Sequence, residues 1–380
     1  MPRVRTAVPI PLDRRFPATD IASLAQAYEA SGVVDDVLLW DQLSWFFPPS
    51  LWTPENTPLA AVNDDAHSFP DVFVLGGYLL RAAPKLGAVI STDAVRRGPT
   101  ELMQTMLTVA DMTGGNAIFQ IGAGEAKQTK PFGWKRSQGL KRLEDLFKIT
   151  RAYWEIPGTI DFEGHHWTLK NASVGSARGH RPKIWALGGG PQLLDLATTY
   201  ADGMAYLAPN AWDTPERAHA EITKLKAQLE EKGRDPETFE FGMWVQAVLH
   251  EDPDAITEAI DNPLMRWMAA NFGRVNLHDW EALGVESALP PDYHYAMHLL
   301  PLEVTAEEAQ RVVERVSPEQ QRLSWMAGTP REVGELLKQY AEAGVTWFSI
   351  ADVLPMTIPP DDPADALRRT IEVCSVLRGA

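Results

Sequence analysis

The chain has a single cysteine, Cys374, in 380 residues. One thiol excludes a disulfide framework and a cysteine-rich metal site. Its setting among Ile371, Val373, Val376 and Leu377 reads as packing, which fits a reducing, cytoplasmic environment. Basic clusters are equally scarce: the longest are dipeptides such as Arg96-Arg97, against a formal net charge of −16. That balance argues against a nucleic-acid partner or an anionic membrane surface. No apolar stretch is long enough to span a bilayer, and the segment Met1 to Asp13, broken by Pro9 and Pro11, makes a poor signal peptide. Internal repeats and low-complexity tracts are missing. So is a Gly-x-Ser-x-Gly elbow, which disfavours a serine hydrolase.

What the chain does have is alternation. Apolar, β-rich runs at Val4–Ile10, Val33–Trp40, Leu86–Ser91, Ala117–Ile121, Lys183–Leu187, Gly203–Leu207, Phe239–Leu249 and Trp347–Val353 are separated by helical patterns. Eight such runs predict an α/β chain folded as one (β/α)8 TIM barrel domain over residues 1–380. The helices carry start and stop signals. Thr329 and Glu332 form a capping-box pattern around Pro330, ahead of an apolar stripe at Val333, Leu336, Leu337, Tyr340 and Ala341 that ends at Gly344. Pro99 opens another, with Leu102, Met106, Val109 and Ala110 on one face. Two stretches, about 42–70 and 262–321, interrupt the alternation and are rich in aromatics. Long irregular inserts are usually functional loops, and in a barrel these would follow strands two and seven and overhang the carboxyl-terminal face.

The chemistry-bearing residues gather at strand ends. The fourth run ends in Gly122 and Gly124, which lack the β-carbons that keep a flat ligand off the backbone, and then in the carboxylate Glu125. Asp41 follows the second run, flanked by Trp40 and Trp45, and reads either as a helix cap among core tryptophans or as an acid beside a planar heterocycle. After the third run, Ala88 to Asp93 are small enough for backbone contact with a ligand, though a plain strand-to-helix turn explains them equally. Gly188, Gly189 and Gly190 precede a helix start at Pro191. Unpaired amides and the helix dipole there suit an anion such as a phosphate, although neither a P-loop nor a dinucleotide fingerprint is present. His165 and His166 are adjacent and would point to opposite faces of a strand. His294 and His298 would share one face of a helix, but no third ligand is identifiable, so no metal is expected.

Taken together, the Asp41 block, Gly87 to Pro99, Gly122 to Glu125 continuing to Trp134, Arg181 to Pro191, Tyr200 to Gly203 and Ala327 to Pro330 resemble the luciferase-like flavin and deazaflavin superfamily. Within it, the pattern is most similar to reductases that use coenzyme F420. The resemblance covers most of the chain, in order. It implies a barrel with the deazaflavin at the carboxyl-terminal face, often in a homodimer. It places Asp41 and Gln42 near the ring and ribityl chain, and Ala88 and Val89 behind the ring, joined by a non-prolyl cis peptide, with Ser91 beyond them. Gly124 and Glu125 would contact the ring region and Gln128 the polar tail. Ala186, Leu187, Gly188 and Gly189 would receive the phosphate.

The departure from that pattern is Gln42, where many deazaflavin relatives that oxidise alcohols carry a histidine. Glutamine cannot act as a general base, so proton transfer falls to Glu125, His294 or His298, with Asp41 close by, or the reaction runs as a reduction. No convincing basic set for a sugar phosphate is apparent, and the aromatic inserts, with Trp45, Phe46 and Tyr293, suggest an apolar substrate. The expected activity is hydride transfer between the deazaflavin and a carbonyl or alkene of a small molecule. Two alternatives stand beside it: an FMN-dependent monooxygenase of the same superfamily, and a non-catalytic flavin-binding protein.

Overall fold

A computed structural model describes residues 4–175, 179–359, 362 and 364–379; Met1 to Arg3, the start of the segment read against a signal peptide, lie outside them. The described residues form eleven strands: β1 (Arg5–Pro9), β2 (Asp36–Trp40), β3 (Gly87–Asp93), β4 (Ala117–Gly122), β5 (Ile160–Glu163), β6 (Thr168–Ala172), β7 (Lys183–Leu187), β8 (Gly203–Ala208), β9 (Glu240–Leu249), β10 (Met326–Gly328) and β11 (Trp347–Asp352). Eight of these pair in parallel as β1-β2-β3-β4-β7-β8-β9-β11, and β11 returns to β1, with Arg5 opposite Trp347 and Ala7 opposite Asp36. The sheet is a closed (β/α)8 barrel. No helix among the described residues is long and apolar enough to cross a membrane.

Period-two alternation sorts each strand's side chains between two cores. Val37, Leu39, Ala88, Ile90, Phe119 and Ala186 pack outward against the helices. Ala7, Leu38, Val89, Ile118, Trp185, Ala205 and Trp347 fill the barrel interior. Trp185 and Trp347 meet edge to face at 5.6 Å and plug its lower half. Two glycines admit the Trp185 ring: a β-carbon on Gly203 would lie 2.7 Å from its Nε1, and one on Gly242 would lie 2.5 Å from its Cζ3. Asp36 bonds both Trp347 Nε1 (3.0 Å) and Arg5 (2.5 Å). With its lower half filled, the barrel has room for a ligand only toward the carboxyl ends of the strands.

Helix boundaries follow the expected signals. Thr329 and Glu332 complete a capping box on the helix Pro330–Glu342, and a second box, Thr305 with Glu308, starts the helix Ala306–Arg315. Pro99 is the first residue of the helix Pro99–Met112, which buries Leu102, Met106, Val109 and Ala110.

Three expectations need correction. The cis peptide expected between Ala88 and Val89 is absent: the one cis bond among the described residues is Ala208–Pro209, and both residues sit mid-strand in unbroken register with β2 and β4. The segment 262–321 is not irregular, since it carries the helices Pro263–Phe272, Asp279–Ala282, Tyr295–His298, Ala306–Arg315 and Pro318–Leu323. Finally, residues 160–172 form the antiparallel hairpin β5–β6 between the fourth and fifth barrel strands. His165 and His166 therefore lie in its turn and not on a strand, where their backbone amides donate to Asp145 at 3.0 and 2.7 Å.

The two long segments form one apolar cap. Phe47, Leu51 and Trp52 from the first pack with Leu264, Met265, Trp267, Met268 and Phe272 from the second. Trp267 Nε1 donates to the Phe46 carbonyl at 2.8 Å, and Asn262 donates to that of Asn56 at 2.8 Å.

Candidate active site

Above the tryptophan plug lies a cavity of about 700 Å³. Leu38, Trp40 and Trp244 form its floor, the carboxyl ends of the strands its sides, and Phe46, Met268, Phe272 and Tyr295 of the cap its roof. Trp40 and Trp244 lie 6.4 Å apart, and Trp244 Nε1 donates to Gln120 at 2.8 Å. Five buried polar atoms on the lining have no hydrogen-bond partner: Trp40 Nε1, Gln42 Oε1, Arg136 Nε, Asn210 Oδ1 and Gln246 Oε1. Each orphan costs on the order of 1–3 kcal/mol unless something in the cavity bonds to it. A bound group carrying both N–H and C=O functions would satisfy them.

Asp41, immediately after β2, is buried and fully engaged. Arg97 Nε lies 3.0 Å from its carboxylate, Arg96 Nη2 3.2 Å, and Thr92 Oγ1 donates at 2.7 Å. Arg96 also bonds the Asp41 carbonyl and the Asp93 carboxylate. Burial pushes the Asp41 carboxyl up, but the two guanidiniums and the Thr92 hydroxyl outweigh it and hold the group below its ordinary value. Asp41 is therefore a fixed anion whose charge is spent on Arg96 and Arg97, rather than an acid free to exchange protons.

Glu125 follows β4 at the N-terminus of the short helix Ala126–Thr129, and its side chain does not cap that helix. Its carboxylate instead pairs with Lys127 at 2.7 Å. Lys127 is buried, donates to the Ser44 carbonyl at 3.0 Å, and places its ammonium 4.0 Å from the Phe46 ring centre. Burial lowers the lysine's pKa, against the attraction of Glu125. Gln128 closes the same knot: its amide donates to Ser44 O at 2.7 Å and accepts from Leu43 N at 2.7 Å. The start of the long β2 loop is thereby stapled to the end of β4.

Gly124 serves this turn more than any ligand. Its φ is +83°, and a β-carbon there would lie 3.1 Å from Val95; on Gly122 it would lie 3.4 Å from the Leu187 carbonyl. After the neighbouring strand β7, Gly188 to Gly190 lead into the helix Pro191–Tyr200, whose first turn lines the cavity. A β-carbon on Gly189 would fall 1.6 Å from the Tyr206 hydroxyl, which donates to the Gly189 carbonyl at 2.9 Å, whereas one on Gly190 meets open space. Gly188 N donates to the Ala205 carbonyl at 3.4 Å and Pro191 has no N–H, so an anion at this helix start would draw on the amides of Gly189, Gly190, Gln192 and Leu193.

The profile of the luciferase-like monooxygenases matches residues 10–347. The chain belongs to that family. A phthiodiolone/phenolphthiodiolone dimycocerosates ketoreductase of Mycobacterium kansasii is 27% identical over 83% of this chain and 86% of its own. An F420-dependent glucose-6-phosphate dehydrogenase of Kineococcus radiotolerans is 22% identical over 69% and 70%. Among solved structures, an F420-dependent secondary alcohol dehydrogenase in complex with an F420-acetone adduct superposes with a TM-score of 0.69, at 21% identity, over 94% of this chain and 98% of its own.

Of the site residues read from the sequence, Asp41, Gln42, Ser91, Gly124, Glu125 and Gln128 line the cavity, as do Leu187, Gly188, Gly189, Trp45, Phe46 and His294. Ala88 and Ala186 do not: they are outward-facing members of the shell packed against the helices. Val89 lies in the interior plug. Tyr293 and His298 are also outside. Tyr293 donates to Asn271 at 2.7 Å and packs toward Trp280, while His298 Nδ1 accepts from the His294 amide. His294 precedes the four-residue helix Tyr295–His298, so the two imidazoles do not share a helix face. Burial, together with Arg136 and His298, lowers the His294 pKa. Its Nδ1 accepts from Ala296 N at 3.2 Å, so the neutral ring carries its proton on Nε2 and is a donor, not a base. The luciferase-like chain also brings in Arg96, Lys127 and Arg136, which the sequence reading did not single out.

Proposed function

We propose that this protein is an F420-dependent oxidoreductase that transfers a hydride between the deazaflavin and a carbonyl or alkene of a largely apolar small molecule. The observation that carries the reading is the cavity itself. Its lining presents orphaned donors and acceptors among aromatic faces, and one wall is a glycine-opened helix start suited to a phosphate. That combination fits a flat heterocycle with a phosphorylated side chain. The names of the ketoreductase and dehydrogenase relatives support the same chemistry. The coenzyme, when bound, supplies or accepts the hydride; the chain positions and polarises.

In this reading Asp41, locked by Arg96 and Arg97, shapes the wall beside the ring, and Gln42 and Gln246 offer their unpaired amide oxygens to it. Glu125 handles the proton, steadied by Lys127. His294 is a neutral donor near the same region, which suits the reductive direction. Trp45, Phe46, Phe272 and Tyr295 form the apolar substrate wall. The protein acts in the cytoplasm as a homodimer, for which exposed Val74, Tyr78 and Met112, on the neighbouring helices Val72–Ala82 and Pro99–Met112, supply an apolar face.

A second reading, an FMN-dependent monooxygenase, is favoured by the description of the family profile. Parallel titrations with the two cofactors separate them, and oxygen-dependent turnover would favour FMN.

A further inference from the structure

Charges on the cavity wall pair off with one exception. Asp41 and Asp93 are bound by Arg96 and Arg97, and Glu125 by Lys127. Arg136 also lines the cavity, yet it makes no ion pair and no side-chain hydrogen bond among the described residues, and its Nε is buried without a partner. Its position is imposed by close packing. It begins the turn Arg136–Gln138 before the helix Gly139–Glu155, and a β-carbon on Gly139 would fall 1.9 Å from the Ala123 carbonyl and 2.9 Å from Arg136 Nη1. Burial lowers the guanidinium's pKa while Glu125 and Asp93 oppose this, but both carboxylates already hold other cations. Arginine stays charged under these conditions. In the same segment of chain, Lys130 and Lys135 are exposed and form no ion pair among the described residues. An acidic chain thus carries a local excess of positive charge beside an apolar cavity.

We infer that Arg136 is the binding residue for an acidic group, a carboxylate or a phosphate, of a molecule whose apolar part occupies the cavity. The planar guanidinium would hold such a group through paired N–H donors and relieve the orphaned Nε. The inference rests on the reading of this cavity as the substrate and coenzyme site, and it adds the charge of what binds. The acid belongs either to the substrate or to the coenzyme.

Decanoate and its neutral twin 1-decanol are suitable probes. They are titrated into the full-length apoprotein at pH 8 by tryptophan fluorescence, since Trp40, Trp45 and Trp244 line the cavity. The expected result is decanoate binding at least about tenfold tighter than decanol, with the preference abolished in Arg136→Met, partly kept in Arg136→Lys, and decanol affinity unchanged in both. Equal binding of the two probes by wild type, no decanoate binding, or a preference that survives Arg136→Met would overturn the inference. F420 titration of the same proteins identifies the source. If Arg136→Met weakens F420 about tenfold and F420 displaces decanoate, the acid is the coenzyme's. If decanoate still binds the F420-loaded protein through Arg136, the acid is the substrate's. Failure of F420 to bind would refute the proposed function while leaving the decanoate comparison readable.

Discussion

Glu125 Oε2 and Lys127 Nζ lie 2.7 Å apart, the carboxylate partly open to the cavity and the ammonium sealed against Phe46. A buried lysine holds in place the one lining carboxylate not bound by Arg96 or Arg97. In a site without a histidine at position 42, Glu125 is the group left to manage the proton.

Glu125→Gln keeps size and hydrogen bonding but removes titration. Deazaflavin affinity should stay within a few-fold of wild type while turnover falls roughly 10²-fold or more. Steady-state kinetics beside fluorescence titration checks this, and near wild-type turnover would remove Glu125 from the proton-transfer role.

Lys127 titrates with a lowered pKa when folded, from an ordinary value of 10.5. Between the lowered pKa and that value the unfolded chain binds more protons, so stability from this residue rises with pH. Wild type should therefore gain on Lys127→Met as pH increases from 7 toward 10. Thermal unfolding across that range tests it; parallel curves would mean that the ammonium is not penalised by burial.

Asp41 has the same sign of pH dependence, but in the acid range. Its folded pKa is below the ordinary 3.8, so its stabilisation is fully present above that value and is lost as pH falls through the folded pKa. Asp41→Asn leaves Arg96 and Arg97 short of a counter-charge in a buried site and should cost about 3–5 kcal/mol at neutral pH, a gap that narrows in acid. Urea unfolding at pH 7 and pH 3 provides the comparison.

Much of this arrangement is legible in the sequence, for physical reasons. The barrel strands are continuous apolar runs because both faces are buried, and residues such as Thr329 and Pro99 mark helix starts through local hydrogen bonding and fixed φ. The side of a strand is harder to read. Ala88, Val89 and Ala186 stand on the right strands, but Ala88 and Val89 lie low on β3, and register turns Ala88 and Ala186 toward the helices and Val89 into the plug. Arg96, Lys127 and Arg136 were passed over because a charged residue's partner is set by tertiary contact: Arg96 reaches 55 residues back to Asp41. Spacing could not reveal that His294 precedes a one-turn helix, and the β5–β6 hairpin, half-exposed and polar, carries little alternation.

Gly189 and Gly190 should respond differently to substitution. Gly189→Ala drives a β-carbon into Tyr206 and should destabilise the fold by about 1–3 kcal/mol. Gly190→Asp meets open space at the N-cap, where a carboxylate supports the helix, so melting temperature should hold or rise. The same carboxylate would occupy the anion site and weaken the deazaflavin about tenfold or more. Unchanged affinity would mean that the phosphate binds elsewhere.

The most direct test of the whole account is titration of the purified apoprotein with F420 and with FMN, followed by cofactor fluorescence and tryptophan quenching. F420 should bind at least about tenfold more tightly. Equal or tighter binding of FMN would contradict the assignment of this cavity to a deazaflavin.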